Sequence, residues 1–124
     1  MTANAATSKS VTIIGGGASG VLLAAHLLRN PDPDLRVTVL ERQGQYGQGL
    51  AYSARHRDHR VNVPARGMSA FADDPDHFWR WLTEREPGKH ASSWTFVPRR
   101  LYGAYLEDVL RAAGQSAPGR LRVM

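Results

Sequence analysis

Hydrophobic positions along the chain follow two different periods, and the switch between them outlines a fold. Ser10 to Ile14 form a short β-branched run, SVTII, of the kind a buried strand carries. Gly15 to Gly20 break that run. From Ala18 to about Arg29 the apolar residues Val21, Ala24, Ala25 and Leu28 recur at helical spacing, and Leu22, Leu23 and Leu27 widen the face. Asn30 and Pro31 stop this helix, and PDPD makes a tight connection. Arg36 to Glu41, RVTVLE, reads as a second buried strand. Strand, glycine turn, helix and strand form a βαβ unit, with parallel strands and a right-handed crossover expected. A parallel sheet needs helices on its faces, so the pattern predicts an α/β fold.

The pattern then changes. From Arg42 to about Asp73 no helical or strand period is sustained, and glycine, arginine and short polar residues dominate. Structureless stretches of this length are uncommon inside compact domains unless they bind something or are disordered. Leu50, Tyr52, Val61, Val63, Met68 and Phe71 are embedded in it and argue for order, hence for a segment that embraces a ligand. Asp74-Pro75 then opens a helix, with aspartate as N-cap and proline first inside. Phe78, Trp81 and Leu82 supply its buried face, and Pro87-Gly88 ends it. A further helix starts near Pro98, carries Leu101, Tyr102, Tyr105, Leu106, Val109 and Leu110 at helical spacing, and stops at Gly114. Leu121 to Met124 opens a third strand. Residues 1–9 are expected to be a disordered polar lead and residues 10–124 the N-terminal part of a single, incomplete domain.

Candidate chemistry concentrates in IIGGGASG. Gly15, Gly17 and Gly20 satisfy G-x-G-x-x-G, and here a strand precedes the match and an amphipathic helix comes after it. Each glycine has its own reason. Gly15 permits the sharp turn, Gly17 lets a pyrophosphate approach the backbone, and Gly20 lets the helix pack closely on the sheet. The free N–H groups and positive end of the helix then face the phosphates, and Ser19 can add a hydroxyl. Glu41 stands at the end of the second strand, twenty-one residues beyond Gly20, near the spacing of about 20 expected for the acid that accepts the ribose hydroxyls. A carboxylate there repels a 2′-phosphate, although the adjacent Arg42 is placed to hold one. The fold expected is therefore a Rossmann-like dinucleotide-binding βαβ fold.

Composition narrows the picture further. The 124 residues suffice for one small domain, and with no cysteine the chain has no disulfide, thiolate nucleophile or thiolate metal site. No apolar run approaches the roughly 18 to 20 residues that span a membrane, and the lead lacks the basic start and apolar core of a secretory signal. A cytoplasmic location without membrane association is expected. The formal charge is +5, but the arginines are scattered rather than gathered on one face, which does not suggest nucleic acid.

The cofactor choice turns on the residues after Glu41. In a simple NAD-binding domain the second strand leads quickly into another crossover helix. Here it leads to ERQGQYGQGLAY, where Gly44, Gly47 and Gly49 give a pliable backbone, and then to the long loop. That suits a dinucleotide continuing past its pyrophosphate to a bulky flavin. The run IIGGGASG, RVTVLER, GQGLAYS, VNVPARGMSAF, DDPDHFWRWL and FVPRRLYGAYL resembles the amino-terminal region of bacterial FAD/NAD(P)-binding flavoproteins, more distantly similar to flavin-dependent monooxygenases and disulfide-reductase-like enzymes. The resemblance covers nearly everything from Val11 to Met124. It implies an oxidoreductase that binds FAD at Gly15, Gly17, Gly20 and Glu41, with Arg42 beside the adenosine ribose and the segment Asn62 to Ser69 near the flavin. It also implies a longer parent protein, often with an NAD(P)H site and a small-molecule substrate. Two alternatives stay open: an NAD-binding dehydrogenase domain, and a nonenzymatic truncated remnant of a flavoprotein.

Other constellations read as structural. His56 and His59 in RHRDHR have a spacing that can serve a metal, with Asp58 and His77 as further donors, but a solvated loop is the expected reading and no metal site is assigned. Trp79, Trp81, Trp94, Tyr102 and Tyr105 are expected in the core. Arg99 and Arg100 start a helix where cations are disfavoured; a surface position is the expected reading, with an anion or cofactor contact as the alternative. Ser53, Ser69, Ser92 and Ser93 lack a nucleophile-elbow context, so hydrolase chemistry has no support. No catalytic residue can be named.

Overall fold

The computed structural model describes residues 7–53, 56 and 58–124. Of the expected polar lead, residues 1–6 lie outside that range. Strand β1 (Lys9–Ile14) leads through the glycine turn into helix α1 (Ala18–Leu28), which returns to β2 (Leu35–Leu40). The buried residues of α1 are Val21, Ala24, Ala25 and Leu28, the four that helical spacing singles out. Between α1 and β2 the connection is held by short polar side chains, with Asp32 N–H donating to Asn30 Oδ1 and Asp34 N–H to Asp32 Oδ1.

After β2 come the single turn α2 (Gly49–Tyr52), a 3₁₀ turn at Ala65–Gly67, α3 (His77–Arg85), α4 (Arg99–Ser116) and β3 (Leu121–Val123). The sheet has the order β1-β2-β3 and both pairings are parallel. Val11 and Val37 lie side by side, as do Ile13 and Val39, and Val37 stands beside Leu121. This row faces the helices. A Cβ at Gly20 of α1 would lie 3.3 Å from Ile13, and one at Gly114 of α4 would lie 3.0 Å from Leu121. Both helices therefore pack on one face. On the other, Ser10, Thr12, Arg36 and Arg122 are exposed and no helix covers them among the described residues.

The strands shift by a residue, β1 taking in Lys9 from the expected polar lead, and two helix boundaries differ by more. α3 begins at His77 rather than at Pro75, because the Asp74 carboxylate pairs with Arg80 instead of capping the helix. α4 passes through Gly114 to Ser116, because that glycine makes room for Leu121, and the chain reverses at Gly119 with φ +74°. The aromatic residues also divide. Tyr102 and Tyr105 are buried and Trp79 and Trp81 half-buried, but Trp94 is exposed and carries the Arg66 guanidinium 4.1 Å from its ring centre.

Within the long loop, residues 59–66 are held by backbone pairing with a distant part of the chain. Val61 N–H donates to Val97 O, Ala65 N–H to Thr95 O, Arg66 N–H to Ser93 O and Arg99 N–H to His59 O. At its end, Tyr105 is fully buried and its hydroxyl accepts from Ala70 N–H while lying 2.7 Å from His77 Nδ1. No helix among the described residues is long and apolar enough to cross a membrane.

Candidate dinucleotide site

The site begins where β1 runs out. Gly15 has φ +101°, a left-handed conformation that glycine adopts without steric cost, and its N–H donates to Leu40 O at 2.8 Å. The turn is thus tied to the end of β2, one residue before Glu41. Gly17 precedes α1 with no side-chain cap, which leaves the first-turn N–H groups available. A Cβ at Gly20 would stand 2.0 Å from Gly15 O, so the tight turn and the helix start tolerate no side chain there. A Cβ at Gly17 would meet only the Gly49 backbone, at 3.6 Å, and otherwise open space.

That open space is a cleft of about 510 Å³ that includes Gly15, Gly17, Ser19 and Gly20 on one side and Gln48 to Tyr52 on the other. Ser19 is exposed to it. Ile14, Leu23 and Leu50 also line it and are 87%, 49% and 100% exposed, so the cleft offers apolar surface beside the free helix end. A second cleft of about 600 Å³ meets the first at Ile14 and Gly15 and is lined further by Leu40, Glu41, Arg42 and Met124. Both open at the carboxyl ends of parallel strands, the usual ligand position in open α/β sheets.

Glu41 supplies the sharpest feature. Its Oε2 is buried and has no hydrogen-bond partner, and it is the one buried side-chain atom among the described residues in that state. Leaving an acceptor buried and unpaired costs about 1–3 kcal/mol. A hydroxyl pair of the kind a ribose carries would remove that cost. The geometry thus fits a dinucleotide: helix N–H groups and a bare glycine for the pyrophosphate, then a waiting acceptor for the sugar. Arg42 lies beside it, exposed.

The structure brings together Gly15, Gly17, Ser19, Gly20, Glu41 and Arg42. It does not bring Asn62, which is exposed, lines neither cleft and sits where the backbone pairs with 93–99. Ser69 likewise donates its hydroxyl to backbone carbonyls of its own turn. Pattern reading missed Gly16, where a Cβ would lie 2.8 Å from Tyr46 and 2.9 Å from Glu41 Cβ. Of the three later glycines only Gly49 lines a cleft; Gly47 is pressed against α4, where a Cβ would lie 2.8 Å from Leu106. His56 and His59 have ring centres 5.7 Å apart, while His77 belongs to the Tyr105 cluster, and no group of three metal-capable side chains forms among the described residues.

A parallel sheet with clefts at its strand ends, reached through a glycine turn, defines a dinucleotide-binding domain of the Rossmann type. The chain belongs to the FAD-NAD(P)-binding family, whose sequence profile matches residues 12–124. It is 28% identical, over 136 aligned positions, to uncharacterized proteins of Mycobacterium tuberculosis and Mycobacterium bovis; these matches cover 83% of this chain. They cover 25% of the mycobacterial proteins, so the chain spans about a quarter of their length. Among solved structures it is similar to Thermovibrio ammonificans THI4, with a TM-score of 0.51 and 16% identity over 95% of this chain and 37% of that one. At that identity the likeness is one of fold.

Proposed function

We propose that the chain holds the adenosine diphosphate part of FAD and serves as the FAD-binding portion of a flavin-dependent oxidoreductase. The observation that carries this reading is the buried, unpaired Glu41 Oε2 beside a bare glycine turn. Gly15, Gly17, Gly20 and the first N–H groups of α1 would receive the pyrophosphate, Ser19 would add a hydroxyl, and Glu41 the ribose, with Arg42 at its side. Bound flavin supplies the redox chemistry, and these residues bind and orient it. Residues 10–124 are, in this reading, the N-terminal part of a longer cytoplasmic flavoprotein; the quarter-length match to the mycobacterial proteins supports the greater length alone. That parent protein would draw on NAD(P)H as electron donor.

The preference for FAD over NAD rests on the cleft beyond the pyrophosphate position. It continues along Gln48 to Tyr52 and is walled by exposed apolar residues, which suits a group larger than a second ribose. Glu41 serves NAD equally well, so the cofactor must be read directly. The absorption spectrum of the purified chain, taken after excess FAD is added and unbound FAD removed, should keep a protein-shifted flavin band. A folded, colourless protein that binds NADH instead would overturn the flavin assignment.

A further inference from the structure

A third opening abuts the glycine-turn cleft and has a different character. Its volume is about 350 Å³, within the range of small-ligand pockets, and Gln45, Gln48, Tyr52, Ser53 and Arg100 line it. Gln48 and Tyr52 line the glycine-turn cleft as well, so the two spaces share a wall. Where the first is rimmed by bare aliphatic residues, this one is lined by amides, hydroxyls and a guanidinium. Ser53 Oγ makes only a long 3.4 Å bond to Leu50 O, and the other four side chains have no hydrogen-bond partner among the described residues.

Arg100 stands out from the other arginines. Arg29 and Arg80 are held by Asp73 and Asp74, Arg111 by Asp108, Arg60 and Arg120 by backbone carbonyls. Of the described arginines, Arg42, Arg100 and Arg122 alone lack a carboxylate, carbonyl or aromatic ring. Arg42 lines the cleft of Glu41 and Arg122 lies on the open sheet face; Arg100 lines the polar opening. No acid stands one turn further along α4, where Gly103 and Ala104 occupy the positions that would pair with it. A cation in the first turn of a helix also opposes the helix dipole. A bound anion would remove that conflict.

We propose that this opening holds the anionic oxygens, carboxylate or phosphate, of the second reactant. Arg100 is its cation and the residue that selects for charge; Gln48 and Tyr52 donate hydrogen bonds from the wall shared with the cofactor cleft. The inference rests on the dinucleotide reading for the identity of its neighbour, and on Arg100 and its cleft for the anion.

The test is a nuclear magnetic resonance titration of the whole chain with ADP saturating, so that the glycine turn is filled, using inorganic phosphate and acetate as probes. The Arg100 Nε–H and Gln48 side-chain amide signals should shift along a saturating curve. Arg100→Gln should weaken that response roughly tenfold, as loss of a charge-assisted contact does, while Arg122→Gln leaves it unchanged. Response to phosphate alone supports a phosphate-bearing ligand such as a second dinucleotide; response to both supports a carboxylic acid as well. Equal shifts at Arg122, or loss of ADP affinity in Arg100→Gln, would overturn the proposal. Wild-type chain that ignores ADP yet shows the phosphate response at Arg100 would sink the dinucleotide reading and leave the anion site standing.

Discussion

Glu41 and the glycines place the demands of folding and of the proposed binding within one short turn. A buried Oε2 with no partner is a cost the free protein carries, and a ligand hydroxyl would relieve it. Glu41→Gln replaces the carboxylate with a neutral amide, so it has two effects of opposite sign. ADP should bind more weakly by about 1–3 kcal/mol, and the ligand-free chain should melt no lower than wild type. Calorimetric titration and a thermal melt read the two together, and a ligand-free variant that melts lower would give Glu41 a structural partner instead. Gly17 and Gly20 divide in the same way. Gly17→Val should leave the fold intact and abolish ADP binding, because only the Gly49 backbone lies within 4 Å of its Cβ position. Gly20→Ala should lose the fold, because its methyl would sit 2.0 Å from Gly15 O. Circular dichroism melts with ADP titration separate these outcomes. Spacing alone picks out Gly15, Gly17, Gly20 and Glu41, since the places they take at the turn and the strand end are set by local geometry. Gly16 was not legible, because what it makes room for, Tyr46 and Glu41, lies some thirty residues on. Asn62 is the opposite case: nothing local reveals that its neighbours' backbones are committed to 93–99.

At the scale of elements, apolar spacing placed α1, β1 and β2 within a residue of where they stand, because each is determined by its own burial pattern. The ends of α3 and α4 were harder. Asp74 looks like a cap until Arg80 claims its carboxylate, and Gly114 looks like a stop until β3 packs against it. Tyr105 carries no local sign of its role, yet its hydroxyl ties α4 to Ala70 and His77. Burial holds the His77 imidazole below its ordinary value, the nearby Asp74 carboxylate opposing only in part. With Nδ1 unprotonated, the Tyr105 hydroxyl donates to it. Between the lowered and the ordinary value the unfolded chain binds a proton that the folded chain does not. The stability is therefore whole above the ordinary imidazole range and is lost as pH falls through the lowered value. Thermal melts at pH 7.5 and pH 5.5, values spanning the ordinary imidazole range of about 6.5, should show an acid-induced fall in Tm that is smaller in His77→Gln. Equal falls in both proteins would remove His77 as the cause.

For the whole molecule, the α/β class was legible because a βαβ unit is a local object, whereas the path of residues 59–66 was not, because it is set by pairings such as Val61 with Val97. The resulting sheet is one-sided, with α1 and α4 on one face and Ser10, Thr12, Arg36 and Arg122 exposed on the other. Water therefore reaches the sheet from one face, and burial alone does not rank its strands. Pairing does. β2 is bonded on both sides, whereas β1 and the three-residue β3 each have a neighbour on one side only among the described residues. An edge strand presents N–H and C=O groups that another chain can pair with. Native-state hydrogen exchange should then find the slowest amides in β2, at Val37 and Val39, with β1 and β3 exchanging faster despite their regular register. If β1 amides were as protected as those of β2, and that protection faded on dilution, the free edge of β1 would be paired with a second copy of the chain. Uniform protection independent of concentration would instead require a further strand or loop to lie against that edge.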